Sequence, residues 1–483
     1  MTHMTHMTRM TQIQIVDSPV TPCRALFLAA VLGFAVGMTP STIAAQNQVK
    51  VPPVRPIGSV LARSSEPLGA VSTVVSLPEG RVLVNDILHR RVVMFDSTLT
   101  QVTVIADSTS ATANAYGARG GGLLSYRGDS ALFIDPASLS MMVVNARGEL
   151  AGVKAVPRAS EINLLVGGPN GRPGFDAAGQ MVYRGQARGN QGRGAVRGGG
   201  AAGGRGAGGP GGGNFAPVQP DSAPIVRVNL STRRLDTIAM VKIPRNNMQA
   251  TQGADGRMNI STTINPLPTT DDWALMSDGT IAVVRGHDFH VDWIAADGTV
   301  RSSPKIMFEW QRLSDEDKEM IIDSARTAME RRRSEAERLT GRGGFGGGGA
   351  AGGQRPGGAG GQRGGGETAP QQRGGRPGGG PGEEGPRVPT INMVSPNELP
   401  DYRPPFGQQA ALGDEDCLLW VRSTAPVGEA GPIYYVISRN NEVVDRIQIP
   451  QGRMIAGFGK RGVVFMAFRD TEGNNRVESA RWR

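Results

Sequence analysis

The 483-residue sequence predicts an all-β chain folded as a six-bladed β-propeller, with one inserted helix and two glycine- and arginine-rich insertions. Three observations lead there. Short runs of alternating apolar and polar residues recur, separated by glycine, asparagine and aspartate turns at hairpin spacing. They recur with a period of about 48 residues, within the span of a four-stranded blade. The last copy ends one strand short, while a strand-like run stands unattached ahead of the first. A pair of β-sandwiches, the alternative, needs no fixed period.

The first 45 residues read as a signal peptide. Arg24 precedes ALFLAAVLGFAVGM, an apolar run too short to span a bilayer as a helix, and small residues at Thr42 and Ala44 suit a signal peptidase. An uncleaved anchor is the rival reading. Export to the periplasm or the outside of the cell is therefore expected, with no transmembrane helix after cleavage. Cleavage leaves a single cysteine, Cys417, so no internal disulfide can staple the fold. Cys417 precedes an apolar run and reads as a small buried residue.

From Ile57 to Arg483 the chain reads as propeller. IGSVLA, residues 57–62, is the unattached strand, expected to complete the last blade and remove an open edge. LPEGRVLVND, RVVMFD and QVTVIAD supply strands of blade 1, and GLLSYRGDSALFID with MMVVNARGELAGVKAV supplies blade 2. GFDAAGQMVYR opens blade 3, which resumes at IVRVNL after residues 185–224. WALMSDGTIAVVR and FHVDWIAADGTV form blade 4, and ALGDEDCLLWVR with IYYVISRNNEVVDRIQI forms blade 5. IAGFGKRGVVFMAFRD and RVESARW form blade 6.

Residues 185–224 and 341–390 are the insertions. Their glycine-rich sequence lacks apolar surface to offset its ordering entropy, so both are expected to be disordered. Between them, residues 314–340 predict a helix. Ser314 and Asp317 make a capping box, and acidic residues crowd the first turn.

The second strand of each copy ends at Asp86, Asp135, Arg184, Arg285, Arg422 and Arg469, in steps of 49, 49, 101, 137 and 47 residues. The two long steps contain the insertions. These blades, from LPEGRVLVND through WALMSDGTIAVV to LLWVR, resemble the secreted six-bladed propellers of bacteria, relatives of NHL-repeat proteins. The resemblance covers most of the chain beyond Ile57. It implies a fold rather than an activity, because such propellers include lyases, lactonases, sugar binders and plain scaffolds.

In a propeller the turn after the second strand lies on the same face as the link between blades. The six strand ends, with His89 and His287 beside them, therefore define a candidate site. Arginine offers fixed bidentate donors to carboxylate, sulfate or phosphate. The bland alternative is an Asp–Arg ring that locks blade to blade. His287 and His290 lie three apart around a strand start, so they face opposite ways and are not expected to share a metal.

The formal charge of +9 suits an anionic partner, such as a small anion or a polysaccharide. A protein partner is also open, and the oligomeric state is not readable. Nucleic acid is not expected, since the arginine-rich tracts have almost no interleaved aromatics. No GxSxG elbow, HExxH pair or phosphate-cradling loop occurs. The leading expectation is a binding module without a cofactor. The alternative is a hydrolase or lyase, lactonase-like or NHL-lyase-like, with calcium or zinc near the channel mouth.

Overall fold

A computed structural model describes residues 51–187, 220–245, 247–252, 258–339, 390–425 and 430–483. The expected signal peptide, residues 1–45, and nearly all of both glycine-rich insertions lie outside the described residues.

The architecture is a six-bladed β-propeller of antiparallel sheets. Blade 1 holds Val71–Ser76, Val82–Asp86, Arg91–Phe95 and Val102–Ala106. Blade 2 holds Gly122–Tyr126, Ser130–Asp135, Ser140–Val144 and Leu150–Ala155. Blade 3 has a two-residue inner strand, Gly174–Phe175, then Met181–Arg184, Ser222–Val228 and Leu235–Lys242. Blade 4 holds Asp272–Leu275, Ile281–Arg285, His290–Ile294 and Val300–Ser302. Blade 5 holds Phe406–Gly413, Leu419–Ser423, Ile433–Ile437 and Val443–Gln448. Blade 6 holds Arg453–Gly459, Val463–Arg469 and Asn475–Arg481, and Val60–Arg63 supplies its outer strand.

Burial follows the period-2 pattern of the sequence, and both faces of the middle strands are covered. Leu83, Val92 and Phe133 join blades 1 and 2, whereas Val84, Val93 and Phe465 join blades 1 and 6. One such apolar cluster sits at each of the six junctions. The ring is therefore closed by packing all the way round. Inner strands approach closely: a Cβ on Gly457 of blade 6 would lie 2.1 Å from the Val74 carbonyl oxygen of blade 1.

Two features were not legible in the sequence. Val54–Pro56 adds a parallel fifth strand to the outside of blade 5. Asn247–Gln252 and Met258–Ile264 form a hairpin, joined in parallel by Thr390–Met393, so the links flanking blade 4 build a small sheet of their own. The long helix, Asp315–Leu339, begins at the Ser314–Asp317 box. Its Ile322 packs with Val394 and Leu399 in a small separate cluster.

Closure by Val60–Arg63 has a testable consequence. Deleting those residues exposes the Asn475–Arg481 edge and a buried carboxylate, Glu478. The whole ring is then expected to melt at a lower temperature and to associate. Unchanged thermal melting and light scattering contradict closure of this kind.

Candidate functional site

The expected strand-end residues are delivered to one face: Asp86, Asp135, Arg184, Arg285 and Arg469 end the second strands of their blades, whereas the strand of blade 5 runs one residue past Arg422 to Ser423. Their surroundings differ. Asp86 is fully buried. It accepts hydrogen bonds from the backbone N–H groups of Gly69 and Ala70, at 3.0 and 2.9 Å, and from Arg91 Nε at 3.1 Å. His89 Nδ1 lies 2.8 Å from the same carboxylate, and the imidazole is half exposed. Burial raises the Asp86 pKa, but these donors outweigh it and hold the carboxyl below its ordinary range. Asp135 closes its own turn, accepting from Ala137 N, Ser138 N and Ser138 Oγ.

Arg285 is paired with two carboxylates: it donates to Asp292 at 2.7 Å, Asp271 at 2.8 Å and the Met240 carbonyl at 2.9 Å. Arg469 is exposed and donates to Gly473 O in its own turn. His287 is exposed, and His290 Nδ1 lies 2.6 Å from Asp288 Oδ1. Among the described residues, no three His, Cys, Asp or Glu side chains are placed to hold a metal ion.

Arg184 and Arg422 are arranged differently, and the reason lies in a segment that the periodic reading passed over. The link VGGPNGRP, residues 166–173, joins blade 2 to blade 3. Arg172 of this link donates to the Ile455 carbonyl at 2.9 Å. Ile455 belongs to the inner strand of blade 6, three blades away around a six-blade ring. The link therefore reaches across the channel mouth. Its Asn170 carbonyl accepts from the Trp273 indole of blade 4 at 3.1 Å, and its Asn170 side chain accepts from Arg184 of blade 3. Gly171 permits this path. It has φ of +83°, and a Cβ there would sit 2.5 Å from Trp273 Nε1.

The electrostatics of this mouth are one-sided. Burial lowers the pKa of both Arg172 and Arg184. Tyr434 of blade 5 is buried, which raises its pKa, and Arg422 and Arg172 both act against that rise. Arg422 stands opposite Tyr434 in the sheet register, so the two side chains share a face. Among the described residues none of Arg172, Arg184 and Arg422 makes a salt bridge.

Asp272 is the nearby counter-charge and acts on Arg184. It is committed elsewhere, however: its oxygens accept from Trp273 N at 2.9 Å, Ala410 N at 2.6 Å and Ala411 N at 2.9 Å. Burial pushes its pKa up to about 6 despite these bonds. Arg172, Asn170, Trp273 and Tyr434 carried no sequence motif. The only signal for the link was its run of glycines and prolines between two blades.

No protein-family model matches the chain, and no curated protein matches it. Solved structures are similar in fold. A streptogramin B lyase structure shares 9% identity over 87% of this chain and 86% of that chain, with a TM-score of 0.30. A catalytically inactive virginiamycin B lyase from Staphylococcus aureus, bound to quinupristin, shares 10% identity over 87% and 98%, with a TM-score of 0.36. A gluconolactonase from Xanthomonas campestris shares 10% over 88% and 99%, with a TM-score of 0.33. The chemistry of the mouth is read from its own residues.

Asp86 ties the first inner strand to its turn, so its loss is expected to be costly. Asp86→Asn leaves several buried donors poorly matched and should destabilise by about 2–4 kcal/mol. The Asp86 pKa is depressed in the fold, so its stabilisation is present above the ordinary carboxylate pKa and lost as pH falls through the depressed value. Melting followed from about pH 5 downward should therefore show a shallower acid dependence in the variant. Equal slopes contradict this role.

Proposed function

We propose that this chain is an exported binding module that takes an anionic group at the mouth formed by Arg172, Arg184 and Arg422. One observation carries the reading. Arg172 and Arg184 meet through the 166–173 link, Arg172 and Arg422 both act on the buried Tyr434, and the nearby carboxylate, Asp272, has both oxygens bound to backbone N–H groups. Cations in desolvated surroundings are costly when unpaired, and an arriving anion relieves that cost. Guanidinium geometry favours carboxylate, sulfate or phosphate.

Among the strand ends of this face, Arg285 and Arg469 act as structural donors in this reading, and Asp86 and Asp135 as turn locks. His89 and His287 lie at the rim. The ligand class is a small multivalent anion or an acidic polysaccharide. Export rests on the apolar run of residues 25–38. No helix among the described residues is long and apolar enough to cross a membrane.

A hydrolase or lyase of the lactonase or NHL-lyase kind is the second reading, and Asp86–His89 is what favours it. A buried carboxylate holds Nδ1, which leaves Nε2 toward solvent in the manner of a general base. The two readings separate experimentally. His89→Ala should abolish turnover under the enzymatic reading and leave anion affinity unchanged under the binding reading.

Sulfate and oligogalacturonate titrated calorimetrically into the chain are expected to bind, more weakly as salt rises. Arg172→Ala with Arg422→Ala should weaken binding at least about tenfold, a loss of about 1.4 kcal/mol. Replacing both glycine-rich insertions with short linkers should leave affinity intact. Binding that survives the double substitution but follows the insertions overturns the proposal. A smaller change makes the same point: Gly171→Ala strains a positive φ and meets the Trp273 indole, so it should weaken anion binding by displacing the link. Unaltered affinity there removes the link from the site.

A further inference from the structure

Blade 5 separates two environments. Side chains alternate along its strands, so Trp420, Arg422 and Tyr434 face blade 6, whereas Val421 and Tyr435 face blade 4. Arg446 pairs directly with Tyr435 and shares its face. The arginine-bearing mouth therefore touches one side of this sheet. The other side holds a cleft of about 530 Å³, within the size range of small-molecule sites.

The cleft has an aromatic wall and cationic ends. Phe308 and Trp310, from the link after blade 4, meet edge to face with centroids 5.6 Å apart. Phe308 also lies 5.9 Å from Tyr435. Trp310 remains 40% exposed although it is large and apolar, which makes it an available stacking surface. Arg446 and Arg403 line the same cleft, and each is fixed through Nε: Arg446 to the Pro52 carbonyl at 2.6 Å, Arg403 to Gln311 Oε1 at 3.0 Å. Among the described residues neither arginine forms a salt bridge or a hydrogen bond through its terminal nitrogens. Anchored guanidinium groups with uncommitted ends are preorganised donors. Glu309 on the rim disfavours a second negative charge.

We propose that this cleft is a second binding site, for a ring that carries one carboxylate. The ring stacks on the exposed Trp310, with Tyr435 backing Phe308 and Arg446 behind it, and the carboxylate accepts from Arg403 and Arg446. Two sources supply that chemistry, a sugar acid and an aromatic acid. Ligand-observed NMR on the full chain distinguishes them, with galacturonate and 4-hydroxybenzoate as probes and galactose and phenol as neutral controls.

One or both acids should bind, and the neutral ring at least tenfold more weakly. Trp310→Ala and Arg403→Gln, both on the link and not in a blade, should each weaken binding at least tenfold with unchanged circular dichroism. In the Arg172→Ala/Arg422→Ala double variant the Trp310- and Arg403-dependent share of the binding should remain. Preference for galacturonate assigns a sugar acid, and preference for 4-hydroxybenzoate an aromatic one. The proposal is overturned if neither acid binds, if neutral rings bind equally well, or if Trp310→Ala and Arg403→Gln bind normally. Binding lost in the mouth variant but kept in Trp310→Ala also overturns it and assigns the anion to the mouth.

Discussion

A ring of sheets holds its shape only if its ends meet, and here they meet where Val60–Arg63 pairs with Asn475–Arg481. The join is chemical as well as geometric. Glu478 is fully buried in the last strand and receives Arg63, at 3.0 Å, and Arg453. The same two guanidinium groups lie 5.0 Å from the centroid of Phe468. Just upstream, Arg55 donates to Asp445 of blade 5 at 2.7 Å and to the Trp482 carbonyl at 2.6 Å. The N-terminal segment thus clasps blades 5 and 6 together. A buried carboxylate between two arginines is a costly arrangement unless every partner is present, which ties the join to the register of both strands.

Closure is what gives the link at residues 166–173 something to reach. Arg172, at the entry to blade 3, finds its acceptor on blade 6, so its position depends on the ring holding those blades at a fixed separation. The same link receives Arg184 and Trp273 from blades 3 and 4. Three blades therefore fix one short segment, and the charge it carries is held without a carboxylate partner. Local packing explains the shape of the mouth. Its sign comes from committing Asp272: Ala410 and Ala411 in the bulged strand of blade 5 donate to its Oδ2, and Trp273 N donates to its Oδ1.

Much of the fold was legible because strand periodicity and turn chemistry are local. Asp86, Asp135, Arg184, Arg285 and Arg469 end their second strands, and Arg422 lies one residue short of its end. The closing strand was legible because the last copy lacked one. The fifth strand at Val54–Pro56 and the small sheet of residues 247–264 and 390–393 were not. The first is three residues long, and the second pairs segments more than a hundred residues apart. The site was only half legible. Strand position put Arg184 and Arg422 on the right face but could not separate them from Arg285, whose partners Asp271 and Asp292 are set by tertiary contact. Arg172 lay in a glycine-proline link with no period at all.

The uncompensated charge of the mouth can be observed directly. Crystals soaked in bromide and measured at the bromine absorption edge should show an anomalous peak within hydrogen-bonding reach of Arg172, Arg184 or Arg422. That peak should be absent from crystals of the Arg172→Ala/Arg422→Ala variant. A mouth without bromide, in crystals whose other surface sites are occupied, contradicts the central claim that these three arginines hold an anion.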